Sequence, residues 1–168
     1  LWLAPVLAFT QVIDSSVVWQ VDSLIQVSRT LTSKSDFGKA LEINAAAEKL
    51  ALEKLRRESA AYGSCCHNRG RVLHIKGDYP ESEKWYLEAV SVREKVLGKE
   101  HPDYCGSLIN LAMLHKGRGK YEESEQLFLE VKEIFEVRLN NRVHPNYLNC
   151  LNNLAVLYQA MGKYEASE

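Results

Sequence analysis

The chain of 168 residues is about as long as one ordinary domain, and its charge is close to neutral. Its 21 lysines and arginines face 22 aspartates and glutamates, so no overall field attracts nucleic acid or acidic lipid. A hydrophobic content of 46% is too high for a disordered chain, and 4 cysteines are too few for a disulfide scaffold. We therefore expect a globular protein without a nucleic-acid partner.

The first segment, residues 1–12, is mostly apolar and begins Leu-Trp-Leu-Ala-Pro-Val-Leu-Ala-Phe. This apolar run is too short for a membrane span, which needs about 20 residues. It is typical of the end of a secretory signal whose charged start is missing, or of a lead-in that packs on the first helix. We interpret it as a leader, which favours an exported or periplasmic location over a cytoplasmic one.

The rest of the chain, residues 13–168, contains a repeated motif. Gly-Asp-Tyr at 77–79 returns as Gly-Lys-Tyr at 119–121 and again at 162–164, with tyrosines 42 and 43 residues apart. His-Pro at 101–102 returns in the same phase at 144–145. Two landmarks that share one period indicate a structural repeat. The array then has about 3.5 copies, with the last one incomplete: 15–57, 60–97, 102–140 and 145–168.

Each copy is predicted to form two antiparallel helices. In the fourth copy, apolar residues recur at spacings of three and four, which marks one face of a helix. Proline suits the first turn of a helix and glycine suits its end. The predicted helices are 15–33, 36–57, 60–76, 79–97, 102–118, 121–140 and 145–161. One pair cannot bury its apolar face alone, so the pairs should stack into an all-α solenoid.

Two positions of the repeat carry small residues, which we expect where helices approach closely. They are Gly70, Ala112 and Ala155 on the first helices, and Ala40, Ser82, Ser124 and Ser167 on the second. Arg69 breaks the pattern, because later copies have leucine at its position. A buried unpaired arginine is costly, so Arg69 is expected to reach a carboxylate or an open groove.

Asn-Leu-Ala followed by Gly-x-Tyr, at 110–121 and 153–164, resembles the tetratricopeptide repeat. The 42-residue period and the linker Arg-Glu-Lys-Val-Leu-Gly-Lys-Glu-His-Pro at 93–102 resemble the kinesin light chain type. This resemblance implies a right-handed α-solenoid whose first helices line a concave groove for a protein or peptide, with no catalysis of its own. Similar arrays precede protease-like CHAT domains in bacterial proteins. The alternative function is therefore a regulatory array of a larger enzyme whose catalytic domain lies beyond residue 168.

The register of that family assigns the groove positions of this chain. They are Ser64, His67, Asn68, Arg71 and His74 in the second copy, Asn110, Met113 and Lys116 in the third, and Asn149, Asn152, Asn153 and Gln159 in the fourth.

Asn68, Asn110 and Asn153 stand in register, and the first copy has Gln26 there. An amide both donates and accepts, so this ladder suits a peptide backbone; alternatively, it stabilises the packing between helices. His67, Arg71 and His74 would bring positive or switchable charge, which suits an acidic peptide or a chain terminus, unless they are plain solvated residues.

No residue pattern predicts catalysis, a metal or a cofactor. Cys65, Cys66, Cys105 and Cys150 lack zinc-ligand spacing and are expected to be small buried hydrophobic residues. His101 precedes Cys105 by four residues and could imitate a Cys–His dyad, but no third residue orients the histidine. His67 and His74 are two helical turns apart with no third ligand. We therefore predict an interaction protein rather than an enzyme.

Overall fold

The computed structural model describes residues 14–162. The predicted leader, Ser167 and the second helix of the fourth copy lie outside the described residues. Seven α-helices fill this range without any strand: α1 Ser15–Ser33, α2 Phe37–Leu55, α3 Ala60–Lys76, α4 Tyr79–Leu97, α5 Pro102–Gly117, α6 Tyr121–Glu133 and α7 Pro145–Ala160. The all-α prediction is confirmed. None of the described helices combines the length and the apolar character that a membrane span requires.

The helices pack as consecutive pairs, α1 with α2, α3 with α4 and α5 with α6, and each pair stacks on the next. The first helices also contact one another, α1 with α3, α3 with α5 and α5 with α7. They therefore form one continuous layer, which we call the concave wall because this layer lines the inner face of such a solenoid. The predicted stacking of antiparallel pairs is confirmed.

Buried serines mark the close approach of the two helices within a pair. Ser82 Oγ donates to the carbonyl oxygen of Gly70 at 2.8 Å, and Ser124 Oγ donates to that of Ala112 at 2.8 Å. A Cβ added to Gly70 would lie 2.7 Å from Cδ1 of Tyr86, so only glycine fits there. The small residues therefore stand where the helices touch, as the sequence predicted.

The second helix of the third copy ends differently from the prediction of one helix over 121–140. α6 is followed by a π-helical turn, Ile134–Arg138, and the amide of Leu139 bonds to the carbonyl oxygen of Ile134 at 2.9 Å. Ile134 and Phe135 are both buried, and Phe135 stacks on His144 with ring centroids 4.7 Å apart. The buried face of α6 therefore continues through the π-helical turn.

The turns between pairs repeat an unusual backbone conformation. Arg56, Gly98 and Asn140 are spaced by the repeat period, and all three have positive φ. Arg56 has φ 69° and ψ 172°, close to the 84° and 163° of Gly98. This region is essentially restricted to glycine. Arg56 therefore holds a conformation that is strained for a residue with a side chain.

We predict that Arg56→Gly stabilises the protein. The glycine adopts this conformation without steric strain, so the free energy of unfolding should rise by about 1 kcal/mol. Urea unfolding followed by circular dichroism measures the change. The matched control, Gly98→Ala, should lower the free energy of unfolding by a similar amount. An Arg56→Gly variant that is less stable than the parent would contradict this account of the turn.

Candidate functional site

An open depression of about 260 Å³ lies on the concave wall. We call it the polar depression. Its described lining takes residues from four first helices, α1, α3, α5 and α7, and one residue from α4. These residues are Arg29, His67, Arg93, Pro102, Asp103, Gly106, Ile109, Asn110, Asn146 and Asn149. Of the residues predicted from the register, His67, Asn110 and Asn149 line it. Arg29, Arg93 and Asn146 were not predicted.

His67 is at the centre of a hydrogen-bond network in this depression. The ring contacts Ser107 Oγ through Nδ1 at 3.2 Å and Asn110 Nδ2 through Nε2 at 3.1 Å. The Ser107 hydroxyl donates to the carbonyl oxygen of Asp103 at 3.4 Å, so it accepts from Nδ1–H of His67. Nε2 is therefore the acceptor for the Asn110 amide, and the ring is neutral.

Burial and the nearby positive charges of Arg93, Arg29 and Arg71 lower the pKa of His67 well below its usual value. Burial also lowers the pKa of His74, whose ring meets Tyr79 and Tyr86 edge-on. Burial thus disfavours the charged form of both rings, and the positive or switchable charge expected of these histidines stays a prediction. Among the described residues that line the polar depression, Arg29 and Arg93 carry the positive charge.

Arg93 reaches the concave wall from the second helix α4. Its side chain is only 5% exposed, and it passes over Gly63, where an added Cβ would lie 3.1 Å from Arg93 Cγ. Nη1 donates to the carbonyl oxygen of Asp103 and to Ser107 Oγ, both at 2.8 Å. Nε is buried without a hydrogen-bond partner among the described residues. Arg93 is the first residue of the linker at 93–102, and this position is the one sequence signal that could have identified it.

In addition to burial, the charge of Arg29 lowers the pKa of both His67 and Arg93, and the charge of Arg71 lowers the pKa of His67. Burial, and then the charge of Arg71, lower the pKa of Arg29. Arg29 Nε donates to Asn68 Oδ1 at 3.3 Å, and Arg71 Nη1 is buried without a partner within the described range. Arg29, Arg71 and Arg93 form the arginine cluster. Among the described residues, the polar depression is lined by two arginines, Arg29 and Arg93, and by one carboxylate, Asp103, so the local charge is positive.

Asn68 lies behind the concave wall rather than on its surface. Its side chain is fully buried, and Nδ2 donates to Ser28 Oγ at 3.0 Å and to Asn44 Oδ1 at 2.9 Å. Its Oδ1 accepts from Arg29, so both the nitrogen and the oxygen of this amide are hydrogen-bonded within the protein. At this position the packing alternative describes the structure.

The other two asparagines of the ladder have different surroundings. Asn153 is 8% exposed; it donates to Asn149 Oδ1 at 2.8 Å and accepts from Lys116 Nζ at 3.1 Å. Asn110 is half-buried, donates to His67 and lines the polar depression. The three asparagines therefore share one register but make different contacts: Asn68 with Ser28 and Asn44, Asn110 with His67, and Asn153 with Lys116 and Asn149.

The remaining predicted groove residues vary in exposure. Asn149, Asn152 and Gln159 are exposed, whereas Met113 packs against the apolar cluster between α5, α6 and α7. Arg69 binds Glu48 Oε2 at 2.8 Å and lies 4.2 Å above the ring of Trp85. The prediction that Arg69 finds a carboxylate is confirmed.

The cysteines and the linker histidine His101 have contacts that indicate a structural role. All 4 cysteines are buried and free, and burial raises the pKa of Cys66, Cys105 and Cys150 to about 12. The thiols are therefore protonated at neutral pH. His101 Nδ1 accepts from the amide of Asp103 at 3.1 Å, so this histidine caps α5. Among residues 14–162, no group of three or more metal-ligating side chains comes together.

We predict that the buried neutral state of His67 makes stability dependent on pH. Below about pH 6.5, His67 is protonated in the unfolded chain but stays neutral in the folded protein. The free energy of unfolding should therefore fall as pH falls. One such group contributes at most about 1.4 kcal/mol per pH unit. Urea unfolding between pH 7 and pH 5 measures the slope, and His67→Gln should make it shallower. An unchanged slope in His67→Gln would show that His67 is not the group responsible.

Solved structures with the same fold support this architecture. The nearly identical TPR-like repeats ascribed to a kinesin light chain of Podosopora anserina align with a TM-score of 0.77 and 23% identity, covering 89% of this chain and 71% of that chain. BtubC (BKLC) from P. vanneervenii aligns with a TM-score of 0.75 and 17% identity, covering 88% of this chain and 58% of that chain. No curated protein sequence matches the chain.

The family profile of the tetratricopeptide repeat matches residues 59–136 and 105–168, which together make up more than half of the sequence. Its period, its helix pairs and its continuous layer of first helices agree with that match. The chain belongs to the tetratricopeptide repeat family.

Proposed function

We propose that this chain is an interaction scaffold that holds an extended acidic peptide along the concave wall. Tetratricopeptide repeats generally mediate protein–protein interaction, so a protein partner follows from the family. The acidic character of the peptide rests on one observation, the excess of guanidinium groups over carboxylates in the polar depression.

The arginine cluster retains hydrogen-bonding capacity that the protein does not use. Nη1 of Arg71 and Nε of Arg93 are buried without partners, although a buried N–H group normally has one. Hydrogen bonds between guanidinium and carboxylate are stronger than neutral ones, and they strengthen further where water is excluded. A carboxylate in the polar depression would offset the mutual repulsion of the arginines.

Two amides beside the cluster suit the backbone of the same peptide. Asn110 and Asn149 both line the polar depression, and Asn149 is exposed on α7. Both lie on first helices, so their spacing follows the stacking of the third and fourth copies. Peptide contact is thus proposed for Asn110 of the amide ladder and for the groove residue Asn149, with Asn68 supporting Arg29 from behind. A catalytic domain beyond residue 168 stays a prediction that no feature of residues 14–162 supports.

We predict that the chain binds a glutamate-rich peptide more tightly than a glutamine-rich peptide of the same length. Fluorescence anisotropy with labelled peptides gives both dissociation constants. Arg29→Gln keeps a donor for Asn68 but removes the charge, so it should weaken binding of the acidic peptide by about tenfold, the equivalent of one charge-assisted hydrogen bond. Added salt should weaken the acidic peptide alone.

The matched control is Arg57→Gln, because Arg57 is an exposed arginine whose partner, Glu88 at 2.7 Å, lies away from the polar depression. This variant should bind the acidic peptide as the parent does. Thermal unfolding of both variants separates a loss of charge from a loss of fold. Equal affinity for the two peptides, or equal weakening by the two substitutions, would overturn the proposal.

A further inference from the structure

A second cavity, which we call the edge groove, shares no lining residue with the polar depression. It has a volume of about 540 Å³ and lies at the edge of the array where α1 and α3 begin and α2 and α4 end. Its floor is apolar and consists of Val18, Leu55, Ala60, Ala61, Val96 and Leu97. Asp14, Lys54, Glu58 and Ser59 are the other described residues that line it. Unlike the polar depression, this groove suits apolar side chains.

The chain enters the described part of the fold at this groove. Asp14 lines it and caps α1 by accepting from the amide of Ser16 at 3.0 Å, and Val18 follows one turn later. Residue 13 is therefore covalently attached at the rim. Any side chain within about five residues before Asp14 is within reach, because an extended chain spans about 3.3 Å per residue.

The 13 residues before Asp14 match the groove in chemistry. They read Leu-Trp-Leu-Ala-Pro-Val-Leu-Ala-Phe-Thr-Gln-Val-Ile and contain no charged residue. Phe9, Val12 and Ile13 are the large apolar side chains nearest to the rim. Docking them removes apolar surface from water on both sides, and the tether keeps the segment at high local concentration.

We propose that residues 1–13 of this chain fold back and cover the edge groove with their apolar side chains. The groove then acts as an intramolecular dock, and the segment covers the start of α3 and the end of α4. The proposal is independent of peptide binding on the concave wall. It explains why Val96, 38% exposed on the last turn of α4, stands beside Leu97, Ala60 and Ala61 in one apolar concavity.

A double-mutant cycle tests this docking. Removal of residues 1–12 should lower the melting temperature of the chain by about 2–8 °C, the range expected for losing the burial of one or two large apolar side chains. Val96→Asp places a charge in the groove, so the same removal should then have almost no further effect. The control Val137→Asp makes the same change at a 72% exposed valine outside the groove, and it should preserve the full loss.

Hydrogen exchange provides a second measurement in the unmutated chain. Amides of residues 54–61 and 93–98 should exchange faster after removal of residues 1–12, whereas amides around the polar depression should not change. An unchanged melting temperature on removal, or equal losses in the parent, Val96→Asp and Val137→Asp, would overturn the proposal. A stabilisation that grows with protein concentration and accompanies dimer formation would place the segment in a second copy and would also overturn it.

Discussion

The structure depends on one constraint, which is that no helix pair of this chain can bury its apolar face by itself. Buried residues are shared between neighbouring pairs, as in the cluster that joins Tyr104 and Leu108 of α5, Phe128 of α6 and Leu157 of α7. Stacking is therefore obligatory, and it fixes the first helices side by side in one layer. Side chains that are 42 residues apart in sequence become neighbours in space. The candidate site is a consequence of that arrangement.

The arginine cluster shows how stacking concentrates charge in a nearly neutral chain. Arg29, Arg71 and Arg93 come from α1, α3 and α4, and the neighbouring charge of Arg71 contributes to lowering the pKa of Arg29. A group of like charges that is partly removed from water is unfavourable unless something compensates it. The protein compensates it in part, through Asn68, Ser107 and the carbonyl oxygen of Asp103. An anionic ligand would provide the rest, which links the energetics of the fold to the proposed function.

The sequence predicts the architecture well, because period, helix pattern and turn residues all depend on local spacing. It predicts the site only in part, because the site depends on which second-helix residues reach the inner layer. Arg93 reaches it since Gly63 leaves room for its stem. Asn68 and Asn110 share a register but not an environment. The first copy has Asn44 at the position where the second copy has Tyr86. The amide of Asn44 accepts a hydrogen bond from Asn68 and so draws it inward. The π-helical turn after α6 is likewise not revealed by the local pattern, because the apolar spacing there also fits a regular α-helix.

The central claim, that the arginine cluster is the recognition surface, can be tested by nuclear magnetic resonance of the arginine side chains. Titration with a glutamate-rich peptide should shift the Nε–H resonances of Arg29, Arg71 and Arg93. The resonance of Arg57, which is paired with Glu88 elsewhere on the surface, should remain in place. Shifts at Arg57 with none in the arginine cluster, while the peptide is bound, would contradict the account.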